Sequence, residues 1–130
     1  MSLKIIQTQK APAAIGPYSQ AIVAGGMLFT SGQLGIDPAT NALPEGIDAQ
    51  TRQSLQNIRA ILEEADLGMT DVIKTVVFIK NMADFPVVNE IYASFFGSHK
   101  PARSCVEVSQ LPKGGLIEIE VVAKCSKAAE

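Results

Sequence analysis

The segment from Ile47 to Leu67 most constrains the fold, because its apolar residues recur at helical spacing along its whole length. Side chains three and four positions apart form one stripe on a helix. Asp48 is a candidate N-cap, and Gly68 is a candidate stop signal beyond the C-terminus. The segment therefore predicts an amphipathic helix that must bury one face against another layer. The stripe consists of Ile47, Leu55, Ile58, Ile61, Leu62 and Ala65.

Short β-prone segments surround this helix. Residues 71–80 are rich in β-branched side chains and predict a strand. Gly25-Gly26 separates two such runs, which predicts a hairpin with a primed turn. A second helix is expected after Asp84, with Pro86 in its first turn and its end at Phe96. The other strands are expected at 3–7, 21–23, 27–30, 103–108 and 116–124.

The order β-ββ-α-β-α-ββ predicts an α+β two-layer fold, a mixed sheet with two helices on one face. A chain of 130 residues without a linker indicates one domain, 1–130. Such a sheet leaves its other face uncovered. Either set of alternating side chains in the middle strand is largely apolar, which favours burial of that face against another subunit. The two sets are Ile73, Thr75, Val77 and Ile79, and Val76 and Phe78.

Composition argues against several function classes. A net charge of −2 without a basic run disfavours phosphate-driven binding, so DNA is not expected as a partner and RNA is disfavoured. Cys105 and Cys125 lie outside any CxxC pattern, which favours reduced thiols in a cytoplasmic compartment. No stretch approaches the roughly 18 apolar residues of a membrane span. A single histidine, His99, cannot build a His-based metal site, so no metal is expected.

The stretch PARSCVEV carries the first candidate chemistry. Side chains two apart in a strand share a face, which places Arg103 with Cys105, and in a later strand Glu118 with Glu120. A guanidinium matches a carboxylate with two parallel hydrogen bonds, and a glutamate can orient or deprotonate water. Alternation by itself is also what a solvated sheet face with a surface ion pair shows, as half-buried strands ordinarily do. The residues alone leave both interpretations open.

Other candidates carry weaker signals. Cys105 has no evident histidine partner, so a packed thiol is the simpler interpretation. Tyr18 follows Gly16-Pro17 in a rigid turn, which either presents its hydroxyl or packs its ring. Ser31-Gly32 ends a strand, where backbone N–H groups can become available to a ligand. Asn89 on the second helix is typical of a surface residue.

Five stretches spanning nearly the whole chain carry a family resemblance. They are APAAIGPYSQA, LFTSGQLGIDPATN, QTRQSLQNIRAIL, VIKTVVFIKNMADFPVVNEIYASFF and PARSCVEVSQLPKGGLIEIEVVA. In these stretches the sequence resembles the Rid family of reactive-intermediate deaminases, also called YjgF-type or L-PSP-type proteins. The resemblance implies a chorismate-mutase-like fold and a homotrimer with clefts between subunits. It also implies that the protein hydrolyses 2-imino acids or their enamine tautomers to 2-oxo acids and ammonia, without a cofactor. Such substrates include 2-iminobutanoate and 2-iminopropanoate, which pyridoxal-phosphate enzymes release.

The resemblance also implies roles for individual residues. Arg103 falls on the carboxylate-binding arginine, and Glu118 on the glutamate that positions water and exchanges protons. Cys105 would then line the pocket rather than attack the substrate. The other implied pocket residues are Tyr18, Ser31, Gly32 through its backbone, Asn89 and Pro112.

One departure from the family pattern precedes Pro101. The loop there is shorter than in many members, and Lys100 stands where they carry an aromatic residue. Substrate size and entrance electrostatics are therefore open. Two other function classes also stay open: an RNA-acting endoribonuclease or translation inhibitor, and a non-enzymatic trimer that binds small carboxylates or acts as a chaperone.

Overall fold

The computed structural model describes residues 3–125, which form seven strands and two α-helices. Residues 1, 2 and 126–130 of the predicted domain lie outside the described residues. The strands are β1 Lys4–Ile6, β2 Ala21–Ala24, β3 Met27–Thr30, β4 Gln33–Leu34, β5 Val72–Ile79, β6 Ala102–Glu107 and β7 Ile117–Lys124. The helices are α1 Gly46–Glu64 and α2 Phe85–Phe96.

All seven strands join one mixed sheet in the order β1-β2-β3-β7-β5-β6, with the short β4 also paired to β7. β5 and β6 run parallel, and the other pairs are antiparallel. Both helices contribute buried residues to one core with the sheet. The predicted α+β two-layer fold is confirmed. The two-residue strand β4 was not predicted, because its pairing depends on tertiary contacts that a two-residue pattern cannot signal.

The hairpin and the second helix match their predictions. Gly25 and Gly26 have φ values of 59° and 76°, as a primed turn requires at both central positions. α2 covers Phe85–Phe96, with Pro86 in its first turn. Gly97 follows it with a φ of 61°, a value that glycine adopts without steric cost.

The predicted caps of α1 are wrong at both ends. The N-cap position is Glu45, which makes no side-chain cap bond, while Asp48 lies in the first turn and accepts from Arg52 at 2.8 Å. At the other end the left-handed residue is Asp66, with a φ of 60°, whereas Gly68 is extended at −136°. The helix ends before Gly68 because the chain turns to bury Leu67 in the core.

β5 alternates between the helix-covered face and the open face of the sheet, but not along its whole length. A register shift between Val72 and Lys74 reverses the alternation at the start of the strand. Ile73 is therefore 42% exposed. The prediction that Ile73 shares a sheet face with Thr75 was wrong. The side chains under the helices are Val72, Thr75, Val77 and Ile79, and those on the open face are Val76 and Phe78.

The open face of the sheet exposes several large apolar side chains, as predicted, and it also carries Glu118 and Glu120. Ile5, Phe29 and Val106 on β1, β3 and β6 are 62%, 47% and 44% exposed. Large exposed apolar patches mark interaction surfaces. Within residues 3–125 there is no helix both long and apolar enough to cross a membrane.

Candidate active site

Arg103 lies on β6, the edge strand next to α2. It is in parallel register with Thr75, so its side chain shares the helix-covered face. Its Nη1 donates to Oδ1 of Asn89 at 2.8 Å. The guanidinium carbon lies 4.8 Å from the ring centre of Tyr92 and 5.3 Å from that of Phe85. The side chain is thus oriented by one hydrogen bond and two aromatic rings, since a cation is attracted to ring faces at these distances.

The ring beneath Arg103 is itself held in place. Tyr92 is buried, and its hydroxyl forms a 2.8 Å hydrogen bond with Thr75 Oγ1. Burial raises the pKa of Tyr92, an effect that the bond to Thr75 and the nearby Arg103 reduce. Within the described residues no carboxylate lies within 4.0 Å of the guanidinium, so Arg103 does not form the surface ion pair that alternation allowed. Its other N–H groups can meet a ligand carboxylate.

A cavity of about 340 Å³ opens beside Arg103. α2, the loop after it and the start of β6 enclose it. Its lining consists of Asn89, Tyr92, Ala93, Phe96, Gly97, His99, Lys100, Pro101 and Arg103.

Cys105 shares the strand face of Arg103 but is partly buried against the core. Burial raises the pKa of its thiol, and the charge of Arg103 offsets only part of that rise. A protonated thiol is a poor nucleophile. The geometry therefore agrees with a packed thiol, and Cys105 lines neither the cavity beside Arg103 nor the one around Glu118, so its lining role stays a prediction.

Glu118 lies on β7, and its carboxyl sits against Gly32. A Cβ on Gly32 would come within 2.7 Å of Glu118 Cδ and 2.8 Å of its Oε2, so only glycine leaves room for the carboxyl. Burial raises the pKa of Glu118, and the like charge of Glu120 on the same strand face raises it further. A carboxyl with a raised pKa exchanges protons closer to neutral pH.

A second cavity of about 560 Å³ surrounds Glu118. Tyr18, 52% exposed, contributes to its wall, as do Ser31, Gly32 and Pro112. Its remaining lining is Pro12, Ala13, Ile15, Gln33, Leu34, Ile36, Asn41 and Lys113.

Ser31 is fixed by its own hydrogen bonds. Its hydroxyl donates to the Ser19 carbonyl at 2.6 Å, and its backbone N–H donates to the Gln20 carbonyl at 2.9 Å. Of the N–H groups of Ser31-Gly32 that were expected to be available to a ligand, that of Ser31 is therefore occupied, and the backbone contact of Gly32 stays a prediction. The hydroxyl oxygen retains its capacity to accept.

Buried amides hold the walls of the second cavity. Gln20 accepts from Thr8 N–H at 2.7 Å and donates to the Pro12 carbonyl at 2.7 Å. Asn57 on α1 donates to the carbonyls of Leu34 and Ile36 at 3.1 and 2.9 Å.

Sequence patterns did not identify Gln20, Asn57 or the rings of Phe85 and Tyr92 as positioning groups. For Asn57 a signal existed, because polar residues at positions 50, 54 and 57 recur at helical spacing beside the apolar stripe of α1.

The candidate residues form two groups on opposite faces of the sheet. Arg103 is in register with Thr75, whereas Glu118 is in register with Phe78, three positions along β5. An odd separation in a strand reverses the face. Asn89, Arg103 and Cys105 therefore lie on the helix side, and the cavity around Glu118 lies on the open side. One chain does not bring the arginine and the glutamate together.

No group of three or more histidine, cysteine or acidic side chains within residues 3–125 is arranged to hold a metal ion.

Comparison with known proteins gives a consistent result. The endoribonuclease L-PSP family profile matches residues 8–125. A Salmonella typhimurium protein named 2-iminobutanoate/2-iminopropanoate deaminase is 53% identical, over 92% of this chain and 96% of that protein. An Escherichia coli protein of the same name is 51% identical over the same shares.

Solved structures show the same fold. The Escherichia coli YjgF gene product is 50% identical, with a TM-score of 0.90 over 93% of this chain and 98% of that chain. Escherichia coli TdcF, solved with bound serine, is 48% identical, with a TM-score of 0.90 and the same coverage.

Proposed function

Because the chain belongs to the endoribonuclease L-PSP family, and because relatives about half identical to it are named 2-iminobutanoate/2-iminopropanoate deaminases, we propose that it hydrolyses 2-imino acids to 2-oxo acids and ammonia. The proposed substrates include 2-iminobutanoate and 2-iminopropanoate. Water adds to the imine carbon, the C–N bond then breaks, and ammonia leaves. The reaction balances with water as its only co-reactant.

Arg103 is the observation that carries the proposal. It is an exposed guanidinium, oriented by Asn89 and two rings, with no carboxylate partner among the described residues. A fork of parallel N–H groups binds a carboxylate in one orientation. Arg103 is therefore proposed to bind the substrate carboxylate and so fix the adjacent imine carbon. Positioning accounts for much of the rate, since it replaces a bimolecular encounter with an oriented one.

Glu118 is proposed to position the attacking water and to exchange protons with the substrate. Its raised pKa supports this role, because more of the carboxyl stays protonated towards neutral pH and can give its proton to the departing nitrogen. In its ionised form the same carboxyl accepts a proton from water. Gly32 leaves the space that the carboxyl occupies.

The remaining residues are proposed to shape the pocket. Tyr18 and Ser31 offer hydroxyl groups in the cavity around Glu118, and Pro112 closes part of its wall. Asn89 positions Arg103. Cys105 is proposed to line the assembled pocket as a neutral thiol, consistent with its raised pKa.

The two groups of residues must meet for this chemistry, and they lie on opposite faces of one sheet. We propose that the arginine face of one copy meets the glutamate face of the next, in a homotrimer with three such sites. The exposed apolar side chains of the open face support assembly, because Ile5, Phe29 and Val106 would otherwise stay in water. Residues 1–130 would form one domain per subunit, and the free thiols support a reducing, cytoplasmic setting.

The test is release of 2-oxo acid from 2-iminobutanoate that threonine dehydratase generates in the assay. Semicarbazide traps the remaining imine, so a deaminase lowers the semicarbazone signal. Wild type is expected to be active and Arg103→Ala to lose roughly a hundredfold or more in rate. Lys124→Met, an exposed change at the end of β7, is the control. Equal rates for wild type and Arg103→Ala would refute the proposal.

A further inference from the structure

We propose that the cavity beside Arg103 accepts a second carboxylate, bound by Lys100, so that the substrates include 2-imino dicarboxylic acids. This rests on the proposed function, because Arg103 is taken to bind the first carboxylate, the one next to the imine carbon. Lys100 would then determine specificity by recognising the far end of the substrate side chain.

The charge of the cavity lining carries this proposal. Arg103 and Lys100 bring two full positive charges into one space of about 340 Å³, and none of the lining residues carries a carboxylate. Neither cation forms an ion pair within the described residues. A substrate with one carboxylate would form an ion pair with only one of these two cations. The cavity suits a ligand with two anionic groups.

The loop that carries Lys100 is ordered by bonds of its own. The His99 ring Nε2 lies 2.6 Å from the Val72 carbonyl, which only accepts, so this nitrogen donates. The His99 backbone N–H donates to Phe96 at 3.1 Å. Pro101 restricts the backbone of Lys100 to extended conformations, because proline clashes with a helical residue before it. The start of the Lys100 side chain is therefore fixed before a ligand arrives.

The spacing also fits. Lys100 precedes β6, so the alternation of strand faces does not apply to it, and its side chain lines the same cavity as that of Arg103. The Cα atoms of these two residues, three positions apart, are separated by no more than about 11 Å. Both side chains are long enough to approach each other from that distance and to hold the two ends of a five-carbon diacid. The rings of Phe96 and Tyr92 line the cavity and offer contact to the methylene groups between those ends.

The reaction is unchanged by the second carboxylate. Water adds to the C=N carbon, a proton reaches the nitrogen, and the C–N bond breaks to give ammonia and a 2-oxo dicarboxylic acid. Lys100 takes no part in these proton transfers. Its effect is on binding and orientation alone.

The experiment compares 2-iminoglutarate and 2-iminobutanoate, each generated from its amino acid by an amino-acid oxidase. Lys100→Met is expected to lower kcat/KM for 2-iminoglutarate roughly tenfold and to leave 2-iminobutanoate nearly unchanged, since one charged contact is lost. Lys100→Arg is expected to retain the dicarboxylate activity. Lys124→Met removes the same charge outside the cavity and is the control.

A calorimetric arm measures binding of the products without turnover. Lys100→Met is expected to weaken 2-oxoglutarate and not 2-oxobutanoate. Equal losses for both ligands, no loss for either, or a wild type that uses 2-iminobutanoate but not 2-iminoglutarate would overturn the proposal. A wild type inactive on 2-iminobutanoate as well would refute the proposed function, and the binding arm would still decide whether Lys100 recognises a second carboxylate.

Discussion

Replacement of Gly32 by alanine tests the position of the Glu118 carboxyl. The added Cβ would lie 2.7 Å from Glu118 Cδ, 2.8 Å from Oε2 and 3.0 Å from Cγ. Ordinary contacts between such atoms are about 3.5–4.0 Å, so the carboxyl must move by roughly 1 Å. The cost to folding is small, about 1–2 kcal/mol, because the end of a flexible side chain moves and not the backbone.

The same displacement is expected to slow catalysis strongly. A misplacement of about 1 Å in a reacting group lowers rates by roughly a hundredfold. Gly32→Ala is therefore expected to lose about that factor in kcat/KM for 2-iminobutanoate in the semicarbazide assay. Urea unfolding of the same preparation measures the stability.

Gly68→Ala is the matched control, because Gly68 is extended and nothing lies within 4 Å of the position its Cβ would take. It is expected to keep wild-type activity. A Gly32→Ala protein that is fully active, or one whose activity falls only in proportion to its unfolded fraction, would refute the role of a fixed Glu118 carboxyl.

Three further predictions concern single side chains. Thr51→Val is expected to raise the free energy of unfolding by about 1 kcal/mol in urea, because the buried Thr51 hydroxyl has no hydrogen-bond partner within the described residues; a lower value would contradict this. Cys105→Ala is expected to keep kcat within roughly tenfold, since its raised pKa keeps the thiol protonated; complete loss would indicate a nucleophile. The raised pKa of Glu118 makes the folded wild type less stable as pH rises from about 4.5 through that pKa. The melting temperature of Glu118→Gln is therefore expected to exceed that of wild type by a margin that grows over this pH interval. A margin that does not change with pH would contradict the raised pKa as its cause.

Local periodicity accounts for the parts of the fold that were predicted. The stripe of α1, the hairpin at Gly25-Gly26 and the bounds of α2 all follow from patterns within short windows. The face shared by Arg103 and Cys105 follows from strand alternation.

Long-range pairing explains what could not be predicted. The end of α1 depends on burial of Leu67, and the exposure of Ile73 depends on a bulge against β7. To see that Arg103 and Glu118 lie on opposite faces, one must know the register of both β6 and β7 against β5. Patterns in single strands do not contain that information. The family resemblance supplied the pairing of these two residues, and the topology shows that they lie on opposite faces.

Mixed assemblies test most directly whether the site forms between copies of the chain. Arg103→Ala and Glu118→Gln are each expected to be inactive alone. When the two variants are unfolded, mixed in equal amounts and refolded together, random assembly gives an intact arginine facing an intact glutamate at about a quarter of the interfaces. Activity near a quarter of wild type is the predicted result. A mixture no more active than its parents would contradict the account.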